Sequence, residues 1–194
     1  MLARNVTGVV KLAGLGGIAA TVCDANHVAT GTLAYPRPVL FGQAWWVLPG
    51  FFVGFVLMGA SYLVAGSRVR RTAATEESCA PGTVSAFVEA MTSFVLVYLM
   101  SGFGNESPAA LSLVFYGAFA VRWAFTYERA WLLAVAVTLA IGGMAVEGSM
   151  GAAEIVAYRH VDVFHVPMWL GGVYMHGAFA LREGMRVLVY RRTG

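Results

Sequence analysis

The chain has 194 residues, of which 59% are hydrophobic and only 12% charged, with a formal net charge of +3. Soluble domains carry about a quarter charged residues, and the pieces between the apolar runs are too short to form one. Most soluble enzyme classes are therefore excluded, and the function belongs within the bilayer or at its surface.

Six apolar stretches follow in chain order, over residues 6–23, 44–66, 85–103, 109–125, 130–146 and 164–181. A spanning helix needs ~20 mostly apolar residues, and these runs lack the period-2 alternation of a membrane barrel. The expected fold is all-α: six transmembrane helices in one bundle, forming a single domain over residues 1–194. Lys11 interrupts the first span but lies near enough to its end to snorkel. That segment has no convincing cleavage pattern and reads as a retained helix. With the N-terminus in the cytoplasm, eleven basic residues fall inside and only Arg37 and Arg159 outside. This bias places both termini in the cytoplasm. The basic residues are scattered, and no nucleic-acid surface is expected.

The links over residues 104–108 and 126–129 are short enough to make spans three, four and five antiparallel neighbours. Residues 67–83 are polar and form the expected mobile inner loop. Two outer segments remain, residues 24–43 and 147–163, and the second contains a candidate short surface helix around residues 152–157. No internal repeat is strong enough to argue the inverted symmetry of transporters. Among the 23 glycines, Gly50-x-x-x-Gly54, Ala13-x-x-x-Gly17 and the trio Gly171, Gly172 and Gly177 mark faces for close helix packing. The alternative is room for a lipid.

Ionisable groups inside spans are functional candidates by default. Glu89 lies one turn into span three, Glu147 closes span five, and His176 sits within span six, where a packing role outweighs a headgroup contact. No buried carboxylate marks a transport pathway. On the outer face, Asp24 and His27 are joined by His160, Asp162 and His165, residue types that build zinc sites. Their spacing matches no specific zinc motif, so interfacial polarity explains them better and no metal is expected. Cys23 and Cys79 fall on opposite faces, so no disulfide is expected. Walker, nucleophile-elbow and dinucleotide motifs are absent.

Trp45, Trp46 and Trp131 fit an interfacial aromatic belt, but the string Phe41-Gly42-Gln43-Ala44-Trp45-Trp46-Val47-Leu48-Pro49 is more specific. It resembles the A-W-W-V-x-P sequence that opens the second transmembrane helix of the Insig (insulin-induced gene) proteins. Leu111-Ser112-Leu113 followed by Trp123-Ala124-Phe125 resembles that family's fourth helix, which runs from L-S-L to W-T-F-D. Met168-Trp169-Leu170 through Gly171 and Gly172 to Arg182 resembles its last helix. The resemblance implies a non-enzymatic membrane sensor. Insig proteins of animals lie in the endoplasmic reticulum and bind oxysterols among their helices. They also retain a sterol-sensing escort protein and promote degradation of HMG-CoA reductase. The family's partner-contacting Asp falls here at Thr126, and its sterol-contacting Gln at Ala110, so both animal contacts are altered. Twelve arginines against one lysine fit a high-GC bacterial genome and a plasma membrane, with the endoplasmic reticulum as the eukaryotic alternative.

The expected function is thus binding of a neutral lipid, a sterol or a diacylglycerol-like molecule, with signalling through protein contacts. No other cofactor is expected, and the chain is expected to form a homo-oligomer, with another membrane protein as the signalling partner. Candidate lipid contacts are Gln43, Trp46, Ser61, Tyr62, Ser93, Tyr98, Tyr116, Trp123, Tyr174 and His176. Candidate partner contacts are Phe125, Thr126 and Arg129. The alternatives are a metal-dependent lipid hydrolase built on the outer His and Asp residues, and a small transporter subunit.

Overall fold

A computed structural model describes residues 2–72 and 82–190, with side chains over 5–66 and 82–190. Six helices account for most of it: α1 (Leu2–Ala29), α2 (Val47–Thr72), α3 (Val84–Phe103), α4 (Pro108–Ala124), α5 (Arg129–Ala152) and α6 (Trp169–Gly184). α6 runs on into one π-helical turn over Met185–Val189. Two-residue strands β1 (Leu33–Ala34) and β2 (Ala157–Tyr158) pair antiparallel. Four segments are long and apolar enough to cross a membrane, Asn5–Ala29, Val47–Gly66, Val84–Phe103 and Arg129–Ala152, and Pro108–Ala124 is a shorter apolar helix.

α6 is the central helix, buried along nearly its whole length. Its glycines let the neighbours approach: a Cβ on Gly172 would lie 2.7 Å from Phe115 Cβ of α4, and one on Gly177 would lie 3.4 Å from the Phe94 ring of α3. Gly17 does the same for α1 against α2, where Phe52 N would be 3.3 Å from its Cβ. The expected Gly50–Gly54 packing face is corrected. Gly54 faces open space and Gly50 meets only Trp46 of its own approach turn, so that face is turned outward.

Contacts fix the direction of each helix. Gly8 packs on Leu188 and Val189, and Gly184 on Leu12, whereas His27 packs on Trp169. α1 and α6 are therefore antiparallel. Gly143 and Gly171 contacts with Tyr174 and Met144 make α5 and α6 antiparallel as well. The two chain ends described thus lie at one end of the bundle with Arg122, Arg182 and Arg186, and both strands with Arg37 and Arg159 lie at the other. The charge segregation in the sequence matches this geometry.

Several boundaries move. α1 and α5 run a further turn or more past the expected ends, to Ala29 and Ala152, so Asp24, His27 and Glu147 are helical rather than loop residues. Tertiary hydrogen bonds to these polar side chains keep the helices going where composition alone reads a loop. α2 continues to Thr72, while most of the expected mobile loop, Cys79, Arg191 and Arg192 lie outside the described residues. The surface helix expected at 152–157 is instead a turn and β2, and α6 starts at Trp169 because residues 163–166 form a tight hairpin turn.

A repeat not discerned in the sequence organises the fold. The segment α1–β1–α2 recurs as α5–β2–α6 at a constant offset of 123 residues, as Ala34 to Ala157, its own strand partner. The match extends to detail. Hairpin bridges join Leu40 to Gln43 and Val163 to Val166. Left-handed backbone falls at Gly31, Phe41 and Gly42, and again at Glu154, Phe164 and His165. The turn hydrogen bonds after α1, Thr30 N to Asn26 O, Gly31 N to Val28 O and Thr32 N to His27 O, recur as Ala153 to Ser149, Glu154 to Gly151 and Ile155 to Met150. Since α1 and α5 run in the same direction, the pseudo-two-fold axis is parallel to the helices. Such parallel repeats differ from the inverted kind.

Candidate functional site

The repeat builds the same polar unit twice at the strand-bearing end. In the first half, Asp24 Oδ2 accepts from Tyr35 Oη at 2.8 Å, and the Tyr35 ring meets Trp46 edge-on at 5.6 Å. In the second, Glu147 accepts from Tyr158, whose ring meets Trp169 edge-on at 6.4 Å. Each carboxylate takes one further neutral donor: Gln43 Nε2 at 2.7 Å for Asp24, and Tyr174 Oη for Glu147. Among the described residues, neither carboxylate has a cationic partner. The hydroxyls of Tyr35 and Tyr158 are pushed well above the ordinary tyrosine range, first by burial. Asp24 and then Glu147 add to the effect at Tyr35, and Glu147 adds to it at Tyr158.

His27 and Trp169 lie between the two units. His27 is fully buried, with its ring edge-on to Tyr98 at 4.8 Å and to Trp169 at 5.6 Å. Ser101 Oγ donates to Tyr98 O at 2.6 Å, so the 2.7 Å contact between Ser101 Oγ and His27 Nε2 assigns the proton to Nε2. That tautomer leaves Nδ1 as an acceptor, and it has no partner among the described residues. Trp169 is 1% exposed, and its indole N–H also lacks a partner there. Each such group forfeits about 1–3 kcal/mol when buried unmet. Next to them, Asn105 Nδ2 donates to Thr32 Oγ1 at 2.8 Å and to Gly102 O at 2.8 Å, tying the end of α3 to the turn after α1.

The opposite end carries a clasp. The Arg182 side chain is almost wholly buried, and its donors go to Glu183 Oε1 (2.9 Å), Tyr127 O (2.8 Å) and Thr126 Oγ1 (2.9 Å). Its guanidinium lies 3.8 Å from the Tyr127 ring centroid, and Tyr127 Oη donates to Glu183. Burial and the bond to Glu183 push the Tyr127 hydroxyl up, against Arg182. Arg122 donates to His176 Nδ1 at 3.3 Å and His176 Nε2 to Phe115 O at 3.1 Å, so His176 is a buried packing histidine, as the sequence implied. Glu89 is exposed, 4.0 Å from Arg122.

The sequence-derived candidates divide between these regions. Gln43, Trp46, Tyr98 and Tyr174 take part in the hydrogen bonds and ring contacts of the strand-bearing end. Tyr116 Oη donates to Met168 O at 2.9 Å and Trp123 Nε1 to Arg129 O at 2.9 Å, both to backbone. Tyr62 is buried against Trp131 at 5.4 Å, Ser93 is half-buried and Ser61 is exposed. Of the partner candidates, Phe125 is 90% exposed and Arg129 is exposed, whereas Thr126 is engaged by Arg182. Asp162 Oδ2 accepts from Met168 N at 2.8 Å, and among the described residues no three His, Cys, Asp or Glu side chains group to hold a metal. Asp24, His27, Trp169 and Tyr158 were missed as a group. The one signal for them was the offset of 123 residues shared by Asp24 and Glu147, Tyr35 and Tyr158, and Trp46 and Trp169.

Apolar helices around a glycine-bearing central helix define a multi-pass integral membrane protein of Insig-like fold. Its structure is similar to that of a mycobacterial Insig homolog, MvINS from Mycobacterium vanbaalenii, with a TM-score of 0.76 and 20% identity over 96% of both chains. A cross-linked trimer of MvINS matches with a TM-score of 0.73 and 20% identity, over 96% of this chain and 97% of that one. At this identity the likeness is one of fold. No protein-family model and no curated protein matches the chain.

Proposed function

We propose that this chain is a non-enzymatic, lipid-binding membrane protein of Insig type, seating the hydroxyl-bearing head of a neutral lipid at the strand-bearing end, beside His27 and Trp169. The observation that carries this reading is the pair of unpartnered buried groups, the His27 Nδ1 acceptor and the Trp169 N–H donor. A hydroxyl is the small group that both donates and accepts, and a sterol or a diacylglycerol-like lipid presents one. The tyrosines of the two polar units surround the same region and keep it neutral in character. Since a lipid leaving the bilayer gains little from burying its chains again, selectivity rests on this headgroup contact. The arginine-rich end faces the cytoplasm on charge grounds, in the plasma membrane of a bacterium. The trimer of the structural neighbour supports a homo-oligomer here. Signalling runs through exposed Phe125 and its surroundings.

Mass spectrometry of lipid extracted from purified protein tests this. One neutral, hydroxyl-bearing species enriched over the membrane is expected, falling sharply in Trp169→Phe. A bulk-membrane lipid profile in the wild-type protein would overturn the reading.

A further inference from the structure

The internal repeat provides its own comparison for a surface that the lipid reading has not used. Along α1 and the turn after it, four side chains hold the second half of α3. Cys23 Sγ reaches Val95 O at 4.0 Å, Asn26 Nδ2 donates to Leu99 O at 3.2 Å, His27 meets Ser101 Oγ at 2.7 Å, and Thr32 Oγ1 donates to Gly102 O at 3.3 Å. At the offset of 123 residues, these four become Val146, Ser149, Met150 and Ile155. The same four, with Ala145, line an open groove of about 460 Å³ beside the strand-bearing end of α5. The place that takes a helix in one half of the molecule is a surface recess in the other.

The side chains say what fits there. A helix end brings carbonyls that have no partner within the helix; Thr32 supplies a donor to one of them on α3, Gly102 O, and Asn26 adds a second donor to Leu99 O a turn earlier. The α5 groove has replaced those donors. Cysteine has become valine, histidine methionine and threonine isoleucine. The remaining hydroxyl, on Ser149, is turned to Ala145 O of its own helix at 2.7 Å. A helix end docked here would leave its carbonyls buried and unmet. A hydrocarbon chain brings no such groups, and Met150 is an adaptable lining for one. Small Ala145 and Ser149 leave a shallow recess open to the surroundings between the larger Val146, Met150 and Ile155.

We infer that the α5 groove seats an acyl chain of a bound lipid, in the place corresponding to that of α3 against α1. The inference rests on the lipid-binding reading and adds to it the subsite that selects chain shape.

Native mass spectrometry of protein released from its own membrane in mild detergent tests the groove. Ser149→Phe fills the recess, and Ile18→Phe places the same side chain at an exposed position on α1. The wild-type protein and I18F are expected to retain a lipid adduct, and S149F to lose it by about tenfold, roughly the effect of 1.4 kcal/mol. A photo-reactive phenylalanine analogue at Met150 is an independent readout, with an adduct of lipid mass expected. Full retention of the lipid by S149F, or a protein adduct from position 150, overturns the inference. If the retained lipid is still lost in Trp169→Phe, the headgroup reading survives that failure. If the wild-type protein carries no enriched lipid, the headgroup reading itself fails.

Discussion

The two halves of the repeat share a backbone plan but differ in where they sit. In the first half the second helix, α2, lies at the edge. Trp45 and Phe41 are exposed, Trp46 is half-buried, and Gly54 faces open space. In the second half the corresponding helix, α6, is the core of the bundle, with Trp169 buried and its glycines under the side chains of α3 and α4. One chain fold therefore serves as both rim and axle, and burial rather than backbone geometry decides what each position tolerates. The polar unit is the part both halves keep: carboxylate, tyrosine and tryptophan in the same places.

Four experiments would break or sharpen this comparison. The largest effect is expected at the clasp. Arg182→Ala strips a buried charge partner from Glu183, with an expected loss of about 3–5 kcal/mol. The counterpart Gly59 packs against Val9, and Gly59→Ala is expected to cost about 1 kcal/mol. Unfolding by denaturant in micelles measures both, and equal losses would deny the contrast between core and rim. Next, Gly171→Leu installs the first half's Leu48 in the second half. It drives a side chain into Tyr116 and Met144 and is expected to cost about 1–3 kcal/mol. The reverse exchange, Leu48→Gly at an exposed helix position, is expected to cost no more than about 1 kcal/mol. A smaller loss in the core than at the rim would overturn the assignment of α6 as the central helix.

The polar units come third. Tyr35→Phe and Tyr158→Phe each remove one donor from a carboxylate, at about 1–3 kcal/mol apiece. Because each tyrosine serves its own carboxylate, the double variant should be additive within about 0.5 kcal/mol. A larger departure would show that the two carboxylates act as one site. The smallest effect is with pH. Folding raises the hydroxyl pKa values of Tyr35, Tyr127 and Tyr158 above the ordinary tyrosine value of about 10. Their contribution to stability is then complete below about pH 10 and falls as pH rises above it, because the unfolded chain ionises first. Thermal unfolding followed from pH 8 upward should weaken only at the alkaline end, and less so in the two phenylalanine variants.

Much of the fold was legible from the sequence, because continuous apolar runs have few alternatives in lipid. The six helices, their alternation and the separation of arginines to one end all follow from hydropathy and charge. The ends of α1 and α5 did not, since Asp24, Asn26, His27 and Glu147 read locally as loop and find their partners only in the tertiary structure. Strands of two residues are too short to show a period. The repeat escaped because most of its matching positions differ in residue type: Gln43 corresponds to Val166, and Leu48 to Gly171. Of the candidate site, the tyrosines Tyr98 and Tyr174 were named as isolated polar residues, while their company was not visible. His27 and Trp169 were separated by more than a hundred residues, and only the packing of α1 against α6 brings their rings together.

The way each carboxylate is satisfied has a consequence for how the protein is made. Asp24 finds Tyr35 and Gln43 within the first helix–hairpin–helix segment, and Glu147 finds Tyr158 and Tyr174 within the second. At roughly 5–20 residues per second, the second copy leaves the ribosome roughly 6–25 s after the first. During that interval the earlier segment already holds its acidic group in a closed set of hydrogen bonds and has no need of the later one to enter lipid. The Ala34–Ala157 strand contact is then the seam along which the two segments meet.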